Sequence, residues 1–186
     1  VVTQLKQEEA TGVEIGGKAL GKDDYGVLGY SPARTTVAGN LAFAGYGIVA
    51  KDLKQDDYDK LDVRKKIVVV RRFVPADERF ASPDAQRRYG DIRRKAFWAR
   101  ERGAIGLVVI DDPAPPKDAP AAWKAPDEAR LPALQPEGYS DAGLPVVVLK
   151  RAVGHALIER LAKKGTVRAK VSISLTPVSS PAFNVA

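Results

Sequence analysis

Apolar and polar residues follow two rhythms along this chain. Three short runs are apolar without interruption and rich in β-branched residues: Lys66-Ile67-Val68-Val69-Val70, Gly106-Leu107-Val108-Val109-Ile110 and Leu144 to Leu149. Such runs predict strands covered on both faces. Thr166 to Leu175 alternates instead, with Val167, Ala169, Val171, Ile173 and Leu175 on one side. That period of two predicts a strand with one packed face and one wet face. Two segments carry the helical period. Ser82-Pro83-Asp84 supplies a capping hydroxyl, a proline suited to the first turn and an acid at the positive helix end. Tyr89, Ile92, Ala96 and Ala99 then recur at helical spacing up to Gly103, predicting a helix over about Pro83 to Arg102. A second helix is predicted from Arg151 to Lys164, with Val153, Ala156, Leu157 and Leu161 on one face.

Between these elements the chain is punctuated by turns. Val1 to Gly39 reads as a meander of short strands at Val1 to Leu5, Tyr25 to Tyr30 and Arg34 to Val37, and Asn40 to Ala44 as a further strand before Gly45-Tyr46-Gly47. Seven of the thirteen prolines fall at 113, 115, 116, 120, 126, 132 and 136, which predicts a long surface loop after Asp111-Asp112. Helix, glycine turn and buried strand in succession imply an α/β layer.

The 186 residues are enough for one domain with a core of its own. Zero cysteines exclude a disulfide framework, a thiolate nucleophile and a zinc knuckle, and a single histidine excludes any site built on two imidazoles. No apolar run approaches the roughly 20 residues that span a bilayer. The chain opens at Val1 without a leader, so it reads as a piece of a longer protein.

Candidate chemistry is sparse. Gly45-Tyr46-Gly47-Ile48-Val49-Ala50 has dinucleotide-fingerprint spacing, but the acidic segment after it lacks the apolar stripe of a crossover helix, so a glycine turn is the better reading. Pro32 after Ser31 disqualifies Gly29 to Ala33 as a nucleophile elbow. The carboxylates at Asp56, Asp57, Asp59 and Asp62 lack calcium-loop spacing. Asp111 ends a buried strand, where α/β sheets tend to hold ligands. The net charge of +7 is concentrated: Arg64 to Arg102 holds thirteen basic and five acidic residues, a local +8. Arg87, Arg88, Arg93, Arg94, Lys95, Arg100 and Arg102 are expected to cluster on the helix away from its apolar stripe, facing phosphates, an acidic peptide or an acidic neighbouring domain.

The order of segments is more specific than any motif. Phe43-Ala44-Gly45-Tyr46-Gly47-Ile48, Asp57-Tyr58, Asp62-Val63, Lys66 to Val70, Arg94-Lys95-Ala96, Gly103-Ala104-Ile105-Gly106, Asp111 and Leu144 to Val148 together resemble a protease-associated (PA) domain. More narrowly, the chain is similar to the PA domain inserted in M28-family zinc aminopeptidases, over roughly Asn40 to Leu175. Lys65 departs from the glycine usual before the lysine–isoleucine pair. The resemblance implies an α/β fold with a strand-rich sandwich or open-barrel core flanked by helices. It implies an N-terminal strand-rich segment over 1–39, a PA-like domain over 40–175, and a linker over 176–186, whose Ser180 to Val185 resembles the re-entry into a catalytic domain. On that basis the chain is expected to be a non-catalytic module of a secreted or periplasmic aminopeptidase, serving substrate access, peptide recognition or docking to its own catalytic domain. The family's zinc ions belong to that absent catalytic domain and no ligand carries over, since His155 continues as Ala156-Leu157 rather than His-x-Asp. Expected contacts with peptide or partner are Tyr46, Gly47, Asp111, Asp112 and Trp123, with Arg87, Arg88, Arg93 and Arg94. The alternatives are a PA-type ligand-binding receptor ectodomain and, further off, a basic nucleic-acid-binding domain.

Overall fold

The computed structural model describes residues 4–136, 140–163 and 165–179. Its strands are β1 (Gln4–Gln7), β2 (Gly12–Ile15), β3 (Lys18–Ala19), β4 (Tyr25–Val27), β5 (Arg34–Phe43), β6 (Val49–Ala50), β7 (Gln55–Asp56), β8 (Ile67–Arg71), β9 (Gly106–Ile110), β10 (Val146–Leu149) and β11 (Arg168–Val178). The helices are α1 (Pro83–Gly90), α2 (Ile92–Glu101) and α3 (Arg151–Ala162). The strands form one sheet in the order β3-β2-β11-β5-β8-β9-β10-β4, with β1 also paired to β11, and a separate β6–β7 hairpin.

The three uninterrupted apolar runs become the parallel strands β8, β9 and β10, buried throughout except for half-buried Arg71 at the end of β8. Their two faces explain why no polar alternation survives. Val68, Val70, Leu107, Val109, Val146 and Val148 face Ala96 and Ala99 of α2. Ile67, Val69, Val108, Ile110, Val147 and Leu149 face Leu157 and Ile158 of α3 and the inner side of β11. The alternating segment is β11, whose Ala169, Val171, Ile173 and Leu175 point inward while Lys170 is exposed. This is the strand-rich core flanked by helices that the sequence implies.

β5 joins the antiparallel and parallel halves of the sheet. Arg34 to Asn40 pair antiparallel with β11, and Leu41 to Phe43 pair parallel with β8. The two short strands expected at Arg34 to Val37 and Asn40 to Ala44 are therefore one. β11 runs on to Val178 rather than ending at Leu175, because β1 pairs with it there, past the end of β5, where a proline is tolerated.

The expected single helix over Pro83 to Arg102 is two. Ser82 caps α1 by accepting from the Ala85 amide at 3.1 Å. Asp91 then takes extended backbone angles and its Oδ1 accepts from the Arg93 amide at 2.9 Å, starting α2. An aspartate that satisfies an orphan amide stabilises a new start by about 1 kcal/mol, so the chain turns without losing a capped end. In α3 the inward side holds Gly154, Leu157 and Ile158, whereas Ala156 is exposed. Among its described residues the parallel step from β9 to β10 has no helix and forms the expected proline-rich loop.

Candidate functional site at the carboxyl ends of the parallel strands

The turn after β5 begins the site. Gly45 and Gly47 have φ of 53° and 63°. A Cβ on Gly47 would lie 2.6 Å from Val70 Cγ1, so the turn needs glycine both for its angles and for its closeness to β8. The turn brings Tyr46 into the interior, where its hydroxyl accepts from the Ala114 amide at 3.0 Å and pins the start of the proline-rich loop. Burial raises the Tyr46 phenol above its ordinary range.

The two aspartates at the end of β9 tie down the rest of that loop. Asp111 is buried, accepts from the Ala129 amide at 2.6 Å and lies 3.2 Å from Arg151 Nη2. Arg151 donates onward to the Asp111 and Pro126 carbonyls, both at 2.6 Å. Asp112 is buried against Arg71, with Nη1 to Oδ2 at 2.9 Å. Both carboxylates of the pair are thus neutralised by arginines within the fold. Their position is the one expected, but their charges are spent on holding loop to sheet.

With the loop fixed, a cleft of about 410 Å³ opens beside the strand ends. One wall is the segment after β8, with Phe73, Val74 and Pro75; the other is Pro113, Trp123 and Pro126 of the proline-rich loop. Asp111 lies at its base, and Arg72, Lys124 and Asp127 are its charged rim. A cleft of this size with mostly apolar walls and a few polar groups has the make-up of a ligand site. Trp123 is half-buried and lines this cleft.

Two residues build this cleft that the sequence does not place there. Phe73 has φ of 64°, a left-handed conformation that costs a bulky residue, yet its ring is 46% exposed. Lys95 holds it there. Its side chain is 0% exposed, and Nζ donates to the carbonyls of Arg71, at 2.8 Å, and of Phe73. Lys95 therefore does not belong to the basic helix face, away from the apolar stripe, on which it is expected. Burial lowers its pKa to about 7, and the same desolvation raises the neighbouring Asp57 carboxyl. The signal for Lys95 is present in the sequence: position 95 lies three after Ile92 and four before Ala99, on the apolar stripe. Phe73 leaves no such signal.

The four arginines lie elsewhere. Arg87 and Arg88 are on α1, and Arg93 and Arg94 on α2, where Arg93 and Arg94 line a second hollow of about 350 Å³ with Asp91, Phe97 and Trp98. The structure thus brings together Asp111 and Trp123 in one cleft, with Tyr46, Gly47 and Asp112 as its supports, and separates the arginines from them.

Zinc chemistry does not fit these residues. Nδ1 of His155 lies 3.1 Å from both carboxylate oxygens of Asp112, and Nε2 lies 3.6 Å from Glu159 Oε1, so both ring nitrogens face carboxylates. Among the described residues no three histidine, aspartate or glutamate side chains gather as metal ligands. No helix among them is long and apolar enough to cross a membrane.

No curated protein matches the chain. Among solved structures, an aminopeptidase from Aneurinibacillus sp. strain AM-1 aligns with a TM-score of 0.62 at 16% identity, covering 98% of this chain and 37% of that one. A zinc aminopeptidase from Bacillus subtilis aligns with a TM-score of 0.54 at 16% identity, covering 96% and 32%. A peptidase M28 precursor from Shewanella amazonensis aligns with a TM-score of 0.56 at 13% identity, covering 96% and 37%. The chain thus spans about a third of the length of these proteins and shares its fold with a part of each. The PA domain family matches residues 29–157, from before β5 to the middle of α3, and takes in the turn, both aspartates and the loop: the chain belongs to the PA domain family.

Proposed function

We propose that this chain is the non-catalytic PA module of an M28-like zinc aminopeptidase, exported from the cytoplasm, and that it contacts peptide through the cleft at the carboxyl ends of β8 and β9. The likeness to three peptidases, each about three times the length of this chain, supports a setting beside a catalytic domain. The observation that carries the peptide reading is the cleft itself: Phe73, exposed and in a left-handed conformation, and Trp123 line the same cleft, and buried Lys95 and Asp111 hold its two walls. Backbone strain of this kind persists where surrounding bonds fix it, and it recurs at ligand sites. An extended peptide would lay an apolar side chain between the two rings and leave its main chain at the charged rim. Chemistry on that peptide is left to the neighbouring domain.

The test uses the chain as it stands. Incubated with zinc and aminoacyl chromogenic substrates, it is expected to give no turnover above background. Titrated with tri-leucine, a Trp98→Phe variant, whose sole tryptophan is Trp123, is expected to change its emission saturably. Turnover with zinc, or an emission that tri-leucine leaves untouched, contradicts the proposal.

A further inference from the structure

A second surface, over α1 and α2, has a chemistry of its own. Beneath it three aromatic rings run in a row, of which Phe80 and Tyr89 are buried and Trp98 is half-buried. Phe80 meets Tyr89 edge-on at 5.7 Å, and Tyr89 stacks on Trp98 at 6.3 Å with 20° between the planes. Arginines lie over the rings: Arg88 over Tyr89 at 5.3 Å, Arg94 over Trp98 at 6.0 Å and Arg100 over Phe97 at 5.7 Å. Phe97 is 48% exposed at the centre, beside the hollow lined by Arg93, Arg94 and Trp98.

A guanidinium attracted to a ring has part of its freedom taken up before any ligand arrives, so less is lost when a carboxylate takes its N–H groups. Arg88 and Arg94 have the ring as their contact and no carboxylate partner among the described residues, although both are exposed. An apolar centre of Phe and Trp with an arginine rim is also the composition of an interface hot spot.

From this geometry we infer that the outer face of α2 docks a carboxylate-rich polypeptide segment that carries an apolar side chain for the Phe97 hollow. Charge complementarity selects the carboxylates, and the exposed ring selects the apolar residue between them. A nucleic acid fits less well. The exposed acids Asp84, Asp91 and Glu101 interrupt the cations and would face a continuous phosphate track. Phe80 and Tyr89 are buried and Trp98 is half-buried, so of these four rings Phe97 alone is exposed, short of the row of stacking faces that successive bases need. This inference does not depend on the peptide cleft.

The probe is a fluorescein-labelled peptide alternating glutamate with leucine, followed by anisotropy on the full chain. The wild type is expected to bind it, less tightly as salt rises. The double variant Arg88→Glu, Arg94→Glu is expected to lose at least about tenfold in affinity, and Phe97→Ser to lose affinity at unchanged charge. Arg34→Glu, at the exposed start of β5, is expected to bind as the wild type does, and thermal melts check that each variant is folded. An excess of tri-leucine is expected to leave this binding alone, which separates the two surfaces. Absence of wild-type binding, an equal loss in Arg34→Glu, or oligothymidine bound as tightly as the acidic peptide overturns the inference.

Discussion

A lysine on an apolar helix stripe is the most informative single residue here. Lys95 gives up hydration to bind two carbonyls at the end of β8, and burial brings its pKa to about 7. The unfolded chain keeps a lysine pKa of about 10.4. Between those values the unfolded state binds more protons than the folded one, so stability rises with pH across that window and is lowest below about pH 7. From pH 7 to about pH 9.5 the wild type is expected to gain on the order of 2 kcal/mol that Lys95→Met does not gain. Urea denaturation of both proteins at several pH values measures this; parallel pH profiles would show that Lys95 stays hydrated and charged. Composition alone places Lys95 among the surface cations, and only its register on the stripe separates it from Arg93 and Arg94. Phe73 is less legible still. Its left-handed angle is imposed by contacts with a lysine more than twenty residues away, and no local preference announces it.

Elements were legible where one residue pattern admits one structure. The valine-rich runs have no polar face, so they specify strands buried on both sides, and β8, β9 and β10 are such strands. The helix over Pro83 to Arg102 was less so, because a capping aspartate in mid-pattern keeps the apolar spacing nearly intact while it breaks the backbone. In α3 the missing clue was room. Gly154 is in the helix interior, where glycine costs about 1 kcal/mol relative to alanine. It is there because a Cβ would lie 2.1 Å from Ile110 Cγ2, and Ile110 is fully buried and cannot swing away. Gly154→Ala is therefore expected to destabilise by about 1 to 3 kcal/mol despite the better helix former. The expected reading is a lower urea midpoint with an unchanged slope; a higher midpoint would mean that α3 shifts freely on β9.

For the whole molecule, the order of segments carried more than any motif did, because a PA domain is specified by which strands follow which turns. That order implies the strand-rich core flanked by helices and marks the Gly45-Tyr46-Gly47 turn and the aspartates at the end of β9, but not the order in which the strands pair. It did not give the cleft, since the two walls come from segments some fifty residues apart, and the loop wall is placed by Asp111, Arg151 and Tyr46 rather than by its own sequence. If peptide meets this chain at those walls and leaves it unaltered, amide-resolved NMR of the isotope-labelled chain titrated with tri-leucine is expected to give saturable shifts confined to 72–76, 111–113 and 123–127, with the peptide recovered intact in the presence of zinc. Shifts centred elsewhere on the molecule, or free leucine in the tube, would contradict it.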